Sequence, residues 1–272
     1  MTSINTNVGA LNARASAVRA TNKMEQAMER LSSGLRVNSA SDDAAGLAVA
    51  GKMESQLRGI NMSIRNAQDG VGLIQTAESG VNEIRNMVLR MRELAVQMAN
   101  GIYEDTPDRN NAQLEVTALI NQVTLIAENT RFNDVALLDG SFTTVNIQAG
   151  NTTAETIELS FVDMASSGLS INAVTIATQS GATAAMGTLD SALETIASEQ
   201  ATMGSLINRL NFSISNQSKA SVMTEQAVGR IMDSDFATET TNLSKQQILN
   251  QAATSMLAQA NQSKQSILAL LQ

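Results

Sequence analysis

Cysteine and histidine are both missing from these 272 residues. Without cysteine the chain holds no disulfide, thiolate nucleophile, zinc ribbon or iron–sulfur cluster. Without histidine it has no Ser-His-Asp triad and no side chain that ordinarily titrates near neutral pH. Tryptophan is absent too, and one tyrosine and five phenylalanines bring the aromatic fraction to only 2%. Aromatic rings normally dominate burial in cores and interfaces. Their scarcity points to thin helical packing, with Ala, Ser, Met and Leu filling narrow seams. The single proline, Pro107, leaves room for long unbroken helices. No apolar run approaches the roughly 20 residues that a membrane span needs, so no membrane partner is expected. The opening MTSINTNVGALNAR has no basic segment followed by an apolar one, so no cleaved secretory signal is expected.

Basic residues are missing from a long interval. The net charge is −8, and no Lys or Arg falls between Arg131 and Arg209. The eight acids of that interval, from Asp134 to Glu199, equal the whole net charge. Residues 1–36 lean the other way, with Arg14, Arg19, Lys23, Arg30 and Arg36 against Glu25 and Glu29. An acidic middle argues against nucleic acid as a partner. It suits a solvent-facing surface that stays soluble at high density.

What the chain does have is helical periodicity. Residues 1–36 and 240–272 each read as a thin amphipathic helix, an apolar stripe among Asn, Gln, Ser and Thr. Near the C-terminus, Leu249, Ala253, Met256, Ala260, Ser263, Ile267 and Leu270 alternate at spacings of four and three, the pattern of a coiled-coil seam. Such a seam needs a partner: first the other end of the chain, then another copy. VNSASDD at 37–43 is a polar break in which Ser39 or Ser41 can cap the next helix. That helix is expected over 42–99, about 87 Å at ~1.5 Å per residue. Its face runs through Ile74, Ala77, Val81, Ile84, Val88, Met91, Ala95 and Met98. Six glycines lie inside it, each costing roughly 0.5–1 kcal/mol against alanine. The helix is therefore held by packing, with close helix–helix approach as one reading and a bend or second register as another.

Asn100-Gly101 ends the long helix, and Thr106-Pro107-Asp108 is expected to start the next, with Pro107 at its first position. Two period-two runs follow, Val145-Ile147-Ala149 and Ile157-Leu159-Phe161, which read as a hairpin. Val174 and Ile176 suggest a further short strand, within a loop over 163–187. From 188 the heptads return through Leu189, Leu193, Ile196, Gln200, Met203, Ile207, Leu210 and Ile214, becoming polar at Gln217, Ser221 and Thr224. Asp233-Ser234-Asp235 breaks the chain before the last helix. The expected fold class is mainly α: a folded-back rod of long coiled-coil-like helices with a small β-hairpin patch, terminal helices paired at one end. The expected division is 1–40 and 233–272 for the paired ends and 41–232 for the rod, with the β patch at about 141–177.

Chemistry is hard to find. There is no P-loop, dinucleotide fingerprint, nucleophile elbow or metal-ligand cluster. No catalytic, cofactor or metal site is expected, and an enzyme is the least favoured reading. Arg90, Arg92 and Glu93 flank the seam residue Met91, either as solvated intrahelical pairs or as a face that meets a neighbouring subunit.

Longer motifs carry a resemblance. INTNVGALNA (4–13), MERLSSGLRVNSASDDAAGLAVA (28–50), RNAQDGVGLIQTAE (65–78), LRMRELAVQMAN (89–100), TRFND (130–134) and the whole stretch 233–272 are similar to bacterial flagellins. These segments cover about two-fifths of the chain. The resemblance implies a structural subunit that self-assembles into the flagellar filament for motility, extracellular and exported through a type III apparatus without a cleaved signal. It implies an inner tube of paired terminal helices, with Leu249, Met256, Ile267 and Leu270 as subunit contacts. It also implies many copies of the chain as partners, together with an export chaperone, a filament cap and hook-junction proteins. By position, Arg90, Leu94 and Glu115 correspond to an epitope for a Toll-like innate receptor and to a subunit contact. Only residues 141–187 separate the matching blocks, so the chain resembles a core-only form without large outer domains. A hook–filament junction protein and a non-flagellar helical signalling rod are the alternatives.

Overall fold

The structure, a computed structural model, describes residues 6–142 and 144–269, with side chains through Ser266 in the last helix. Helix α1 spans Val8–Ser33, α2 Ala44–Met98, α3 Asn110–Asn129, α4 Gln179–Met232 and α5 Phe236–Ala269. Two small antiparallel hairpins lie between α3 and α4: β1 Arg131–Phe132 with β2 Val135–Ala136, and β3 Val145–Gln148 with β4 Thr156–Leu159. The mainly α class and the hairpin at 145–159 therefore agree with the sequence reading.

The chain divides into two compact units, residues 1–57 with 222–272, and residues 58–221. In the second unit, one continuous core joins Ile74, Ile84 and Met91 of α2, Val116 and Val123 of α3, and Leu189, Ile196, Met203 and Leu210 of α4. Leu138, Leu159, Met164, Ile171 and Ile176 close it from the intervening segment. Rings are few, and Phe142 lies against Phe161 with centroids 5.1 Å apart. Gly80 of α2 is a point of close approach. A Cβ there would sit 2.6 Å from Thr130 Oγ1 and 2.9 Å from Leu138 Cδ1. The neighbour that needs this glycine is the segment after α3, rather than the helix expected from the sequence.

Several boundaries differ from expectation. Asp43, not Ser39 or Ser41, caps α2, accepting the Gly46 N–H at 2.8 Å. Asp42 instead folds the preceding turn, taking the backbone N–H of Asn38 and Ser39 and the Ser39 hydroxyl. These bonds hold its carboxyl below the ordinary value, the Ser39 backbone bond most of all. Regular helix begins at Asn110 rather than at Pro107. Thr106 is extended (φ −132°, ψ 121°), as a residue before proline prefers. Val174 and Ile176 form no strand; they are buried, and Gln113 of α3 takes up their backbone, accepting from the Ile176 N–H at 2.6 Å. Helix α4 starts at Gln179, since the small residues read as loop include the buried Ala182 and Ala185.

Candidate assembly interface

The first unit is where a subunit interface is expected. Asn7 caps α1 through its side-chain oxygen, which accepts the Ala10 N–H at 3.0 Å, and its amide reaches across to the Ala260 carbonyl at 3.1 Å. Gly34, at φ 73°, closes the other end of α1 by donating its N–H to Arg30. Beyond it the chain runs beside the α4–α5 junction: Arg36 N–H donates to Met232 O, and Ser234 N–H to Gly34 O.

Helices α1 and α5 pack together. On α1 the buried or half-buried positions include Ala13, Ala17, Ala20, Met24, Ala27 and Leu31, spaced as a heptad seam, with Thr21 and Arg30 half-buried beside it. Facing them, α5 places Glu239, Leu243, Gln246, Asn250, Ala253, Leu257 and Ala260 inward. The expected seam is therefore only half right. Ala253 and Ala260 belong to it, but Leu249 and Met256 lie one residue, about 100°, round the helix from Asn250 and Leu257. The cause is local: Asn250 donates to Thr21 Oγ1 at 2.7 Å, which draws a polar residue into a seam lined by alanine. Hydrophobicity alone favours the larger apolar side chains and misses this bond.

What the seam leaves out is apolar and exposed. Leu249 is 45% and Met256 66% exposed, and Ile248 beside them is 66%. Helix α1 shows Val8, Leu11 and Val18 as a second stripe at the same spacing. Between the two helices runs an open groove of about 470 Å³, lined by Gly9, Ala13, Ser16, Ala253, Met256 and Ala260. Burying a large apolar side chain is worth about 1.5–3 kcal/mol, so these stripes favour association. Leu270 and the Ile267 side chain lie outside the described residues.

The second unit holds the charged positions. Arg90 Nε donates to Glu115 Oε1 at 2.8 Å, joining α2 to α3, and Nη1 donates to Glu93 at 3.2 Å. The guanidinium is held more firmly protonated by these bonds, that to Glu115 first. Arg92 donates to Asp190 at 2.5 Å, joining α2 to α4, and this bond keeps the Asp190 carboxyl below its ordinary range. All five side chains are well exposed, so each pair adds little stability. Leu94 is 4% exposed and belongs to the core, so that surface is offered by Arg90 and Glu115 without it. Among the described residues no group of three or more carboxylates is placed to hold a metal ion, and no helix is long and apolar enough to cross a membrane.

Two matches decide what kind of chain this is. The bacterial flagellin N-terminal helical region aligns with residues 4–143, and the bacterial flagellin C-terminal helical region with residues 186–271. The chain belongs to the bacterial flagellin family. A flagellin of Halalkalibacterium halodurans is 40% identical over 272 residues, 98% of this chain and 99% of its own. The flagellar filament 33 kDa core protein of Treponema phagedenis is 38% identical, again over 98% of this chain and 99% of its own. Among solved structures, Bacillus cereus flagellin is 30% identical, with a TM-score of 0.51 over 56% of this chain and 88% of that one. Full-length alignment with a relative of the same extent agrees with a core-only form of the flagellin fold.

Proposed function

We propose that the chain is a structural subunit of the bacterial flagellar filament, and that copies join through the apolar stripes that α1 and α5 leave exposed. One observation carries this reading: Leu249, Met256, Val8, Leu11 and Val18 are open to solvent, outside the seam through which their helices pack. Leu270 continues the Leu249–Met256 stripe in sequence and Ile267 lies a heptad beyond Ala260; both are included in the proposed subunit contact. In this reading residues 1–40 and 233–272 form the inner tube and residues 41–232 the surrounding shell. Full-length similarity to flagellins and filament core proteins favours it over a junction protein or a signalling rod.

Further partners follow the same proposal: an export chaperone on the C-terminal region, a cap at the growing tip and junction proteins at the base. Export without a cleaved signal accompanies them. Arg90 and Glu115 are proposed as a contact for neighbouring copies and for a Toll-like innate receptor. A reporter-cell assay that compares the monomer with Arg90→Ala tests the last point, and silence from the unmodified monomer rejects it. Assembly is tested by polymerising purified chain that carries Leu249→Asp or Met256→Asp. Each variant is expected to stay soluble with unchanged helix content and to form no tubes. Tubes of normal length from both would reject the contact.

A further inference from the structure

We infer that Arg30, Glu239 and Asp42 form the register lock of the α1–α5 pair, and so fix how the exposed stripes of the two terminal helices align along the pair for assembly. The inference rests on the filament-subunit reading above.

The seam has little power to choose its own register. On α1, Ala13, Ala20 and Ala27 repeat at one heptad, as do Ala17, Met24 and Leu31 at the other position. A slip of seven residues therefore exchanges alanine for alanine at one position and permutes Ala17, Met24 and Leu31 at the other. On α5 the repeat is less regular, since Asn250 lies between Leu243 and Leu257 and Gln246 lies a heptad before Ala253, so α1 is the permissive partner. Register must come from polar contacts that cross the seam. Asn7 bonds a backbone carbonyl, which every residue offers. The Asn250–Thr21 bond also marks the register, but a slip there costs one neutral hydrogen bond.

The charged contact is different. Arg30 Nη1 donates to Glu239 Oε1 at 3.1 Å, and Nη2 lies 4.0 Å from Asp42 Oδ1. Glu239 is only 7% exposed, and Arg30 Nε is buried with no hydrogen-bond partner. Asp42 is itself fixed by the turn at 38–39 and by Gln26, so the guanidinium is tied to both α5 and the turn that leads to α2. A part-buried pair is weak evidence of added stability, but breaking it leaves the buried Glu239 uncompensated, which penalises alternatives. One slipped register sets Arg30 against Gln246 and Glu239 against Val37. The other gives Glu239 to Lys23 but sets Arg30 against Met232, before α5 begins. Neither keeps both charges paired.

The absence of native cysteine makes register directly readable. A Cβ on Gly9 would lie 3.7 Å from Ala260 Cβ, within the span of a disulfide. Full-length chain carrying Gly9→Cys with Ala260→Cys therefore reports the native register. Ser16→Cys with Ala260→Cys reports a slip of one heptad. After polymerisation and oxidation, Arg30→Glu, Glu239→Arg and the milder Arg30→Gln are each expected to lower native crosslinking about tenfold and to raise the slipped product. The double reversal Arg30→Glu with Glu239→Arg is expected to restore both. Unchanged crosslinking in the single variants, or no recovery in the double reversal, would overturn the lock. If the reporter chain with all charges intact forms no filament, the filament-subunit reading fails instead.

Discussion

Glu199 sits on α4 with 5% exposure, and one of its carboxylate oxygens has no hydrogen-bond partner. Burial pushes its carboxyl above the ordinary value; a bond from the Val162 N–H opposes this only in part. A carboxyl raised on folding binds its proton more tightly in the folded chain. It therefore favours folding below the ordinary carboxylate range and loses that contribution as pH rises through the raised value. Glu199→Gln is expected to stabilise the chain at neutral pH by about 1–2 kcal/mol and to change little near about pH 3. Paired thermal melts at the two pH values check this. Arg109 is the opposite case, a buried charge that is fully used. It donates to the Met98 and Asn100 carbonyls at the end of α2 and to Asp105 at 2.7 Å. Arg109→Ala removes all three bonds and orphans helix-end carbonyls, so a loss of about 3 kcal/mol is expected in urea unfolding. Arg109→Lys is expected to recover little of it, because an ammonium lacks the planar fork. Neither residue could be picked out from sequence. Glu199 occupies a surface-type position in the heptad count, and Arg109 follows a proline turn with no periodic neighbour.

Long helices were legible because their heptads run for many turns; Ile74 to Met98 are buried as the spacing implies, as are Leu189, Ile196, Met203 and Leu210, but between these α4 buries Ala192, Glu199 and Leu206, one residue round from the half-buried Leu193, Gln200 and Ile207. Short elements were not. The β1–β2 hairpin has two-residue strands, too brief for a period, and its signal is the Asn133-Asp134 turn, where both residues take positive φ (49° and 65°). The α5 seam departs from hydrophobic spacing at Leu249 and Met256, where Asn250, bonded to Thr21, and Leu257 face α1 instead. The same seam bears on stability. Among the described residues of α1 and α5, only Ala20, Ala27, Glu239 and Ala253 count as buried, which is little apolar area for two helices of 26 and 34 residues. Elements with few buried contacts open locally at low free energy. In the isolated monomer, limited proteolysis is expected to trim both ends, at about 1–40 and 235–272. In the polymer the same segments are expected to resist. Equal protection of the ends in both states would contradict this account of the pair.

For the molecule as a whole, the missing chemistry and the surplus apolar surface belong together. A chain without cysteine, histidine or tryptophan has few catalytic options, and the features left over are helical stripes that the single chain does not bury. Heterologous contacts between identical copies generate helical polymers when the rotation does not close, which is the arrangement a filament requires. Family membership fixes the class of protein; the stripes on α1 and α5 are the proposed contacts. The most direct test is a cryo-electron reconstruction of tubes grown from the purified chain. The account predicts long filaments in which α1 and α5 line the centre, with Leu249 and Met256 buried against neighbouring copies. Filaments whose terminal helices leave both side chains in solvent, or assemblies that stop at a few copies, would contradict it.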